Sequence, residues 1–369
     1  NIFGEGSRTP VAIIILIKNP NRKTHIINYK DIGDYLTKNE KLKIIKDSGS
    51  IHGISDWSII KPDSESDWLN QKISTFSDYF LIGGKNSKSG NENSIFNEYT
   101  IGVGTGRDTW VYNFSKDTVL KNMKRQIEYC NKQDVNNSKF NKKLHDLKQV
   151  SWSRNLIIRL KKSKAVFNKD KIQIGLYRPF LKQYHYYDDV FNENPAKFYK
   201  FFPESNSKNL IISITSKADV GKFSTLISNV IPNGDLLKHA ICFPLYVYEH
   251  GKKQNISDYM LNEYHIFYND TKIEKEDIFY YIYGLLHHTK YCEKYANNLS
   301  KELPHIPMAP KFWKYVEIGK RLSELHLNFE SCKQYDLGKP KNPKFGKFLK
   351  MSFGKKIIEL IESNYTNFI

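Results

Sequence analysis

The chain has 369 residues, of which 40% are hydrophobic and 14% aromatic. This composition excludes a disordered protein, and the length suffices for two or three domains with buried cores. Lys and Arg number 57 against 39 Asp and Glu, a net charge of +18. The excess favours a polyanionic partner, with nucleic acid first, an anionic membrane surface second, and solubility alone as the remaining explanation.

The positive charge is concentrated in one stretch. Residues 116–182 contain 18 Lys and Arg against 5 Asp and Glu, a net charge of +13. A second run, residues 339–356, has 7 lysines and no acidic residue. This second run is either a solvated tail or an arm that contacts a nucleic-acid backbone.

The four cysteines are far apart and form no CxxC pair, which is typical of reduced cysteines in a cytoplasmic protein. The longest apolar run, residues 11–17, is too short to span a membrane, so we expect no membrane partner. The chain begins at Asn1 rather than Met, almost directly before a strand. We therefore expect a fragment of a longer protein.

In chain order, residues 11–17 (VAIIILI) form a continuous apolar run, which predicts a strand buried on both faces. Residues 24–29 are predicted to be its antiparallel neighbour across a turn at 19–23. Such a hairpin requires a larger sheet. Residues 31–46 then show the apolar stripe of an amphipathic helix, and residues 83–93 are polar and rich in Gly, Ser and Asn, which predicts a flexible surface loop.

The block IGVGTGRDTWVYNF, residues 101–114, is the most informative stretch. Its glycines predict tight turns or close backbone approach, followed by a strand from Trp110. We expect Arg107 to be displayed at the start of this strand, where its planar donors suit a phosphate or a guanine edge. The alternative is that Arg107 and Asp108 form a local ion pair. Ser115 is then predicted to cap a helix over 115–131.

Residues 150–182 interleave basic and aromatic side chains on apparent strands, a pattern that suits a polyanion-binding groove. Taken one by one, the aromatic residues fit a core and the lysines a solvated surface, whereas the cluster as a whole favours binding. The members are Trp152, Arg154, Arg159, Lys161, Lys162, Lys164, Tyr177, Arg178, Phe180 and Lys182.

The rest of the chain predicts buried strands at 209–215 and 240–248, with Pro244 at an edge or bulge. Apolar periodicity predicts helices at 277–286 and 310–329, which form a C-terminal helical layer. Four histidines lie in or near these helices without a carboxylate or Cys at ligand spacing, so no metal site is predicted. They are His287, His288, His305 and His326. No phosphate-binding loop, carboxylate pair or nucleophile elbow occurs, and no catalytic or cofactor-binding residue is predicted.

Sequence blocks along nearly the whole chain occur in a characteristic order. They are NIFG, TPVAIIILIKNP, DWLNQ, IFNEYTIGVGTGRDTWVYNF, LYRPFLKQ, ICFPLY, DIFYYIYGLLHHTKYCEKYANNLSKELPHIP and FWKYVEIGKRLSELH. In these blocks the chain closely resembles the C-terminal region of type ISP restriction-modification enzymes. Those are single-chain proteins that join a nuclease, a helicase-like ATPase, an N6-adenine DNA methyltransferase and a target recognition domain.

The resemblance implies a mixed α/β (α+β) fold. Residues 1–30 are expected to be the last strands of a methyltransferase sheet, 31–270 a strand-rich target recognition domain, and 271–369 a C-terminal helical region. The family's Asn-Pro-Pro-Tyr catalytic tetrad does not occur here, so no methyl-transfer residue can be carried over. S-adenosylmethionine is therefore implied for the parent enzyme and not for this chain.

The resemblance further implies double-stranded DNA as partner, together with an upstream methyltransferase domain of the same protein. The function predicted is sequence-specific DNA binding that positions a target adenine. The residues predicted to bind DNA are Arg107, Asp108, Trp110, Arg154, Lys161, Lys162, Arg178, Lys182 and Gln183. Base-reading residues alternatively lie in 83–93 or 132–147.

Two other functions stay open at this point. A structural coupling module between methyltransferase and motor domains needs only sequence-independent DNA contact. A methyltransferase active by itself needs to bind S-adenosylmethionine, which we do not expect of this chain. Dependence of DNA affinity on sequence separates the first alternative from target recognition, and calorimetry with the cofactor tests the second.

Overall fold

The computed structural model describes residues 12–33, 36–84, 94–141, 148–204, 206–216, 223–249 and 251–333. The helices are α1 (Lys38–Ser48), α2 (Asp108–Val111), α3 (Lys116–Lys132), α4 (Arg154–Lys162), α5 (Asp258–Tyr268), α6 (Lys275–Leu286), α7 (Thr289–Lys294), α8 (Ala296–Lys301) and α9 (Phe312–Leu327). The strands are β1 (Ile27–Tyr29), β2 (Ser58–Ile60), β3 (Phe80–Gly83), β4 (Ser94–Phe96), β5 (Thr100–Ile101), β6 (Tyr112–Asn113), β7 (Ile172–Arg178), β8 (Leu181–Tyr186), β9 (Ile211–Ile214), β10 (Thr225–Ser228), β11 (Ile231–Pro232), β12 (Ile241–Pro244), β13 (Tyr246–Val247), β14 (Lys253–Gln254) and β15 (His305–Ile306).

The predicted mixed α/β fold with helices towards the C-terminus is confirmed. Two four-stranded sheets carry most of the described strands, in the orders β10-β9-β12-β5 and β11-β7-β8-β6. A three-stranded sheet, β15-β3-β4, and two strand pairs complete the set. The backbone clusters into two units, Asn1–Leu327 and Asn328–Ile369. The domain boundaries expected after residues 30 and 270 stay a prediction.

The larger core lies where the sheet of β9 and β12 meets the helices α6 and α9. All four residues of β9 are buried, as its continuous apolar sequence predicts. Helix α6 is apolar on nearly every face and buries nine of its 12 residues. Glycines allow α6 and α9 to approach closely, because a Cβ on Gly319 would lie 1.9 Å from the carbonyl oxygen of Tyr280.

A second core joins α3 and α4 to strands β6, β7 and β8. Helix α3 begins where predicted, with the Ser115 hydroxyl accepting from the backbone N–H of Thr118. Its buried face includes Val119, Met123 and Ile127 at helical spacing. Pro244 of β12 lies at a partial edge of its sheet, as expected. It pairs with Ile211 of β9 on one side, whereas the pairing of β12 with β5 on the other side ends at Cys242.

The N-terminal prediction is wrong in two respects. Residues 12–17 carry no strand, and the side chains of residues 13–17 are 62–84% exposed. Strand β1 instead pairs antiparallel with β2. The physical reason is that a strand forms only where its backbone groups find partners, and residues 12–17 pair with no described strand.

The helix expected over 31–46 begins only at Lys38. There the Thr37 hydroxyl accepts from the N–H of Glu40, and the Glu40 carboxylate accepts from the N–H of Thr37. This capping box defines the start of the helix. Residues 34–35, which belong to the predicted helix, lie outside the described residues.

Two predicted strand segments are helical. Residues 108–111 form α2, and only Tyr112–Asn113 of the expected strand belongs to a sheet. Residues 154–162 form α4, in which Ser153 caps the first turn and Leu156 and Leu160 are buried one helical turn apart. Arg159 between the two leucines and the basic residues that flank them obscured this i, i+4 spacing and suggested alternation instead.

Candidate nucleic-acid interface

A cleft of about 590 Å³ opens above the glycine-rich block. The loop 101–109 lines it together with Asn194, Asn233 and His239. Backbone bonds of 2.9 and 2.7 Å join Gly104 and Asn194 in both directions. Gly102 is required for close approach, since a Cβ there would lie 2.6 Å from the carbonyl oxygen of Asn233. The sequence therefore builds a rigid loop whose backbone forms much of the cleft surface.

Arg178 lies beside this cleft, where it contacts the lining residues Asn233 and Asp108, because of an irregularity in the β7–β8 pairing. Leu176 pairs with Lys182, but Arg178 pairs with Leu181, so that Tyr177 is an extra residue in the ladder. Such a β-bulge redirects the side chains around it. It places Arg178 on the sheet face shared by Leu181 and Gln183.

The Arg178 guanidinium is held on one side and available on the other. Nη1 donates to the Tyr177 carbonyl at 2.7 Å and to the Asn233 side-chain oxygen at 3.1 Å. Nη2 lies 3.6 Å from the Asp108 carboxylate, and the group stacks 4.0 Å from the centre of the Tyr177 ring. The side chain keeps 34% of its surface exposed. Among the described residues none accepts from Nε, which leaves this donor for a bound group, beside Nη2 with its longer contact to Asp108.

Buried aromatic groups support the arginine from below. The Tyr112 ring lies 4.8 Å from that of Tyr177 and stacks on His185 at 4.2 Å with an interplanar angle of 12°. Burial and the nearby Asp108 carboxylate raise the pKa of Tyr177. Burial lowers the pKa of His185 to about 4, and the hydrogen bond that its Nε2 donates to the Asn192 side-chain oxygen opposes this shift. A neutral histidine therefore lies beneath the cleft edge at pH 7.

Asp108 has a different partner from the one expected. One carboxylate oxygen accepts from the Thr105 hydroxyl, and the other faces Arg178. Arg107, its neighbour in sequence, pairs with Glu193 at 3.4 Å instead. The suggested local ion pair between residues 107 and 108 is therefore wrong.

Arg107 itself is buried, contrary to the expectation that it is displayed. It is 3% exposed as a residue, and its guanidinium bonds to Thr105, Ser151, Ser153, Phe191 and Glu193. Trp110 is also buried, and the guanidinium of Arg125 lies 5.2 Å from its ring centre. In this conformation neither side chain is placed for direct DNA contact.

Helix α4 collects three of the predicted DNA-binding residues on one exposed face. At 100° per residue, Arg154, Lys161 and Lys162 lie within one side of the helix, and all three are exposed. Arg159 lies between this side and the buried leucines, and it donates to the carbonyl oxygens of Val190, Asn192 and Glu193. We call the exposed side, Arg154 with Lys161 and Lys162, the α4 basic face.

The two remaining residues that were predicted to bind DNA point to different faces of the sheet. Lys182 and Gln183 are consecutive on β8, so they point to opposite faces of the sheet. Gln183 pairs with Gly175 and shares the face of Arg178, whereas Lys182 lies on the other face. Both are half-buried. The structure thus brings together Asp108, Arg178 and Gln183, and it places the α4 basic face elsewhere on the same core.

The aromatic residues of the basic stretch have mixed positions. Trp152 is half-buried against Phe140, with ring centres 5.1 Å apart, as expected of a core residue. Phe180 is 45% exposed, has φ 56° at the tip of the β7–β8 turn, and lies 5.5 Å from the His326 ring. Of the alternative base-reading segments, residues 85–93 and 142–147 lie outside the described residues, whereas residues 83–84 and 132–141 lie within them.

Asn233 and Glu193 were missed by the sequence analysis. Asn233 orients Arg178, and its Pro-Asn-Gly sequence is a turn signal that could have been noticed. Glu193 carries no local signal, because its partners are distant in sequence. Among the described residues no group of three or more His, Cys, Asp or Glu could hold a metal ion, and no helix is long and apolar enough to cross a membrane.

Solved structures similar to this chain include large proteins studied with DNA. One is a nuclease-deletion mutant of the Type ISP restriction-modification enzyme LlaGI in complex with a DNA substrate mimic. It is 38% identical to this chain with a TM-score of 0.72, and the match covers 86% of this chain and 25% of that chain. Another is the ATP-dependent Type ISP enzyme LlaBIII bound to DNA, with 33% identity and a TM-score of 0.74 over 84% of this chain and 20% of that one. A third is a DrdV–DNA complex, with 30% identity and a TM-score of 0.72 over 86% of this chain and 33% of that one.

The chain therefore falls into the class of domains that form part of large restriction-modification enzymes, and it spans a fifth to a third of the length of these structures. A model of the Type ISP C-terminal specificity domain matches residues 94–363. The chain belongs to the Type ISP C-terminal specificity domain family, and the resemblance seen in the sequence is confirmed. No curated protein matches the chain.

Proposed function

We propose that this chain recognises a specific sequence in duplex DNA as the target recognition part of a type ISP-like restriction-modification enzyme. The observation that carries the proposal is the held guanidinium of Arg178 beside the cleft. An arginine fixed on one side and free on the other suits bidentate bonding to O6 and N7 of guanine. The family membership and the DNA-bound relatives support the same function.

The α4 basic face supplies sequence-independent affinity in this proposal. Its three cations are exposed, and the Cα atoms of Arg154 and Lys161 lie seven residues apart, roughly 10 Å along the helix axis. Cations in such a row neutralise neighbouring phosphates and release counterions. Phosphate contacts hold the duplex, and contacts at the cleft discriminate between base pairs.

The finer part of the proposal concerns the reaction of the longer protein. We propose that the domain holds duplex DNA so that an adenine enters the active site of an upstream methyltransferase, which uses S-adenosylmethionine. Extruding a base from the stack costs a few kcal/mol, and holding the flanking duplex offsets part of this cost. This chain contributes positioning alone, since it carries no Asn-Pro-Pro-Tyr tetrad.

The test is selection from a random duplex pool at about 0.15 M salt, where non-specific binding is weakened. Enrichment of one short sequence is the expected result. For the finer proposal, the longer protein is then expected to methylate an adenine within the enriched sequence. Methylation only at unrelated sites contradicts adenine positioning by this domain, while leaving sequence recognition intact.

A second candidate, the structural coupling module, is favoured by one observation. The described residues from 12 to 75 bury no side chain and expose large apolar groups. Segments of this kind are typical of surfaces that other domains cover. Retention of DNA without enrichment of any sequence supports this candidate and contradicts target recognition by the chain alone.

A further inference from the structure

The buried arginine of the glycine-rich block has all five of its donors satisfied. Nε donates to the Ser151 carbonyl at 3.4 Å, and Nη1 donates to the carbonyls of Thr105 at 3.0 Å and Phe191 at 2.5 Å. Nη2 donates to the Ser153 hydroxyl at 2.7 Å and to the Glu193 carboxylate at 3.4 Å. A guanidinium has five N–H donors, so none is left for DNA.

These bonds join three separate segments of the chain. Arg107 belongs to the cleft loop, Ser151 and Ser153 precede helix α4, and Phe191 and Glu193 lie in the turn after β8. Their separations in sequence reach 86 residues. The arginine is the point where the cleft loop, α4 and this turn meet.

Ser153 makes the link to α4 direct. Its hydroxyl oxygen accepts from the backbone N–H of Leu156 as the N-cap of α4, and it also accepts from Arg107. The same hydroxyl donates to Glu193. The first turn of α4 is therefore held to the guanidinium, which helps to set the direction of the α4 basic face together with the bonds that Arg159 donates.

Arg107 is linked to the cleft edge through its neighbour. Asp108 follows it directly, and the Asp108 carboxylate faces Arg178. The backbone carbonyl of Arg107 also accepts the first helical bonds of α2, from Trp110 and Val111. A shift of Arg107 therefore moves the residues that hold Arg178, while the α4 basic face is held by the other end of the same side chain.

Burial of this cation is costly. Desolvation lowers the pKa of Arg107, and the Glu193 carboxylate opposes that shift. Buried ionic groups contribute little net stability compared with apolar residues of the same shape, and in several proteins they instead define a unique arrangement of segments. The arrangement defined here is the spacing between the cleft edge and α4.

We propose that Arg107 is a positioning residue that fixes the α4 basic face relative to Arg178, so that both contact one duplex in a defined register. Arg107 touches no DNA in this proposal. The inference rests on the proposed function, because it concerns how sequence recognition depends on two surfaces acting together.

The experiment uses the full 369-residue chain, the duplex enriched by selection and a scrambled duplex of equal composition. Arg107→Lys keeps the charge but cannot reach five acceptors. We expect the ratio of affinities for the two duplexes to fall about tenfold, while the dependence of affinity on salt keeps its slope. If the slope of log affinity against log salt concentration falls by about 0.9 and the affinity falls equally for both duplexes, Arg107 contacts a phosphate directly. That result overturns the proposal.

A matched pair of milder variants covers the case in which Arg107→Lys does not fold. Ser153→Ala and Ser115→Ala each remove an N-cap, from α4 and α3 respectively, and each therefore destabilises the start of one helix. Only Ser153→Ala also cuts the bond to Arg107. We expect the affinity ratio to fall in Ser153→Ala alone.

Equal ratios in the two variants overturn the inference, because stability then accounts for every effect. The wild-type chain separates this failure from failure of the proposed function. If the wild type itself binds both duplexes equally, sequence recognition fails. If the wild type discriminates and Ser153→Ala discriminates equally well, only the positioning role fails.

Discussion

The cleft edge and the α4 basic face are both cationic, but they hold their cations differently. At the cleft edge, Arg178 has an amide, a carbonyl, a carboxylate and an aromatic ring around it. On α4, the side chains of Arg154, Lys161 and Lys162 extend into solvent. The difference is one of conformational freedom rather than of charge.

This difference indicates separate contributions to binding. A side chain already held in one orientation loses little entropy on binding and penalises a base pair that does not match its donors. Solvated lysines adapt to any phosphate and confer no sequence preference. The following predictions test whether affinity and discrimination separate between the two surfaces in this way.

The largest effect is expected from neutralising the α4 basic face with Arg154→Gln, Lys161→Gln and Lys162→Gln together. At 0.15 M salt each phosphate contact contributes about fivefold, so three contacts contribute roughly 100-fold. We expect this loss on selected and scrambled duplexes alike, with the salt slope reduced by about 2.7. Titrations at several salt concentrations measure it. A loss confined to the selected duplex contradicts the assignment.

The next effect concerns Arg178→Lys, which keeps the charge and removes the bidentate edge. We expect about 30-fold weaker binding to the selected duplex, corresponding to about 2 kcal/mol, and little change on the scrambled one. Lys161→Arg on the α4 basic face is the matched control and should leave both affinities nearly unchanged. Equal losses of affinity on both duplexes for Arg178→Lys would indicate that Arg178 contacts a phosphate and not a base edge.

A third prediction concerns His185, which lies beneath the cleft edge and not beneath the α4 basic face. Its pKa is about 4 in the folded chain, below the ordinary value of 6.5. Between these values the unfolded chain binds a proton that the folded chain does not. Stability therefore falls as the pH drops from 6.5 to 4, by about 1.4 kcal/mol per pH unit, and this contribution is fully present above pH 6.5.

Denaturant unfolding at several pH values measures this contribution. His185→Phe keeps a ring against Tyr112 but does not titrate, so its stability should fall less steeply over the same interval. Exposed His52→Gln is the control and should follow the wild type. Parallel curves for the wild type and His185→Phe show that His185 is not buried in its neutral form.

The smallest effect is expected for Asp108→Asn. The amide keeps the bond with Thr105 but loses the charge that faces Arg178 at 3.6 Å. An ion pair of this partly exposed kind contributes at most about 1 kcal/mol. We expect up to about fivefold weaker binding of the selected duplex, measured by titration. Tighter binding would mean that Asp108 repels phosphate instead of orienting Arg178.

Elements with local signals were predictable from the sequence. Helix α3 has its cap at Ser115 and a clear apolar period, and β9 is a short apolar run bounded by polar residues. Helix α4 was missed because its basic residues outnumber the two buried leucines that reveal its period. Residues 12–17 have a strand-like sequence but find no partner in the described structure.

The sequence by itself determined the concentration of positive charge in residues 116–182, the glycine-rich loop and the family. It could not distinguish Arg107 from Arg178, since both follow a turn or strand in a basic region. Only the tertiary structure decided that Arg107 is buried and Arg178 half-exposed. Four of the five acceptors that surround Arg107 lie 44 to 86 residues away along the chain, and Arg178 depends on Asn233, 55 residues away. Whether a guanidinium is satisfied internally depends on such distant groups, which no local pattern encodes.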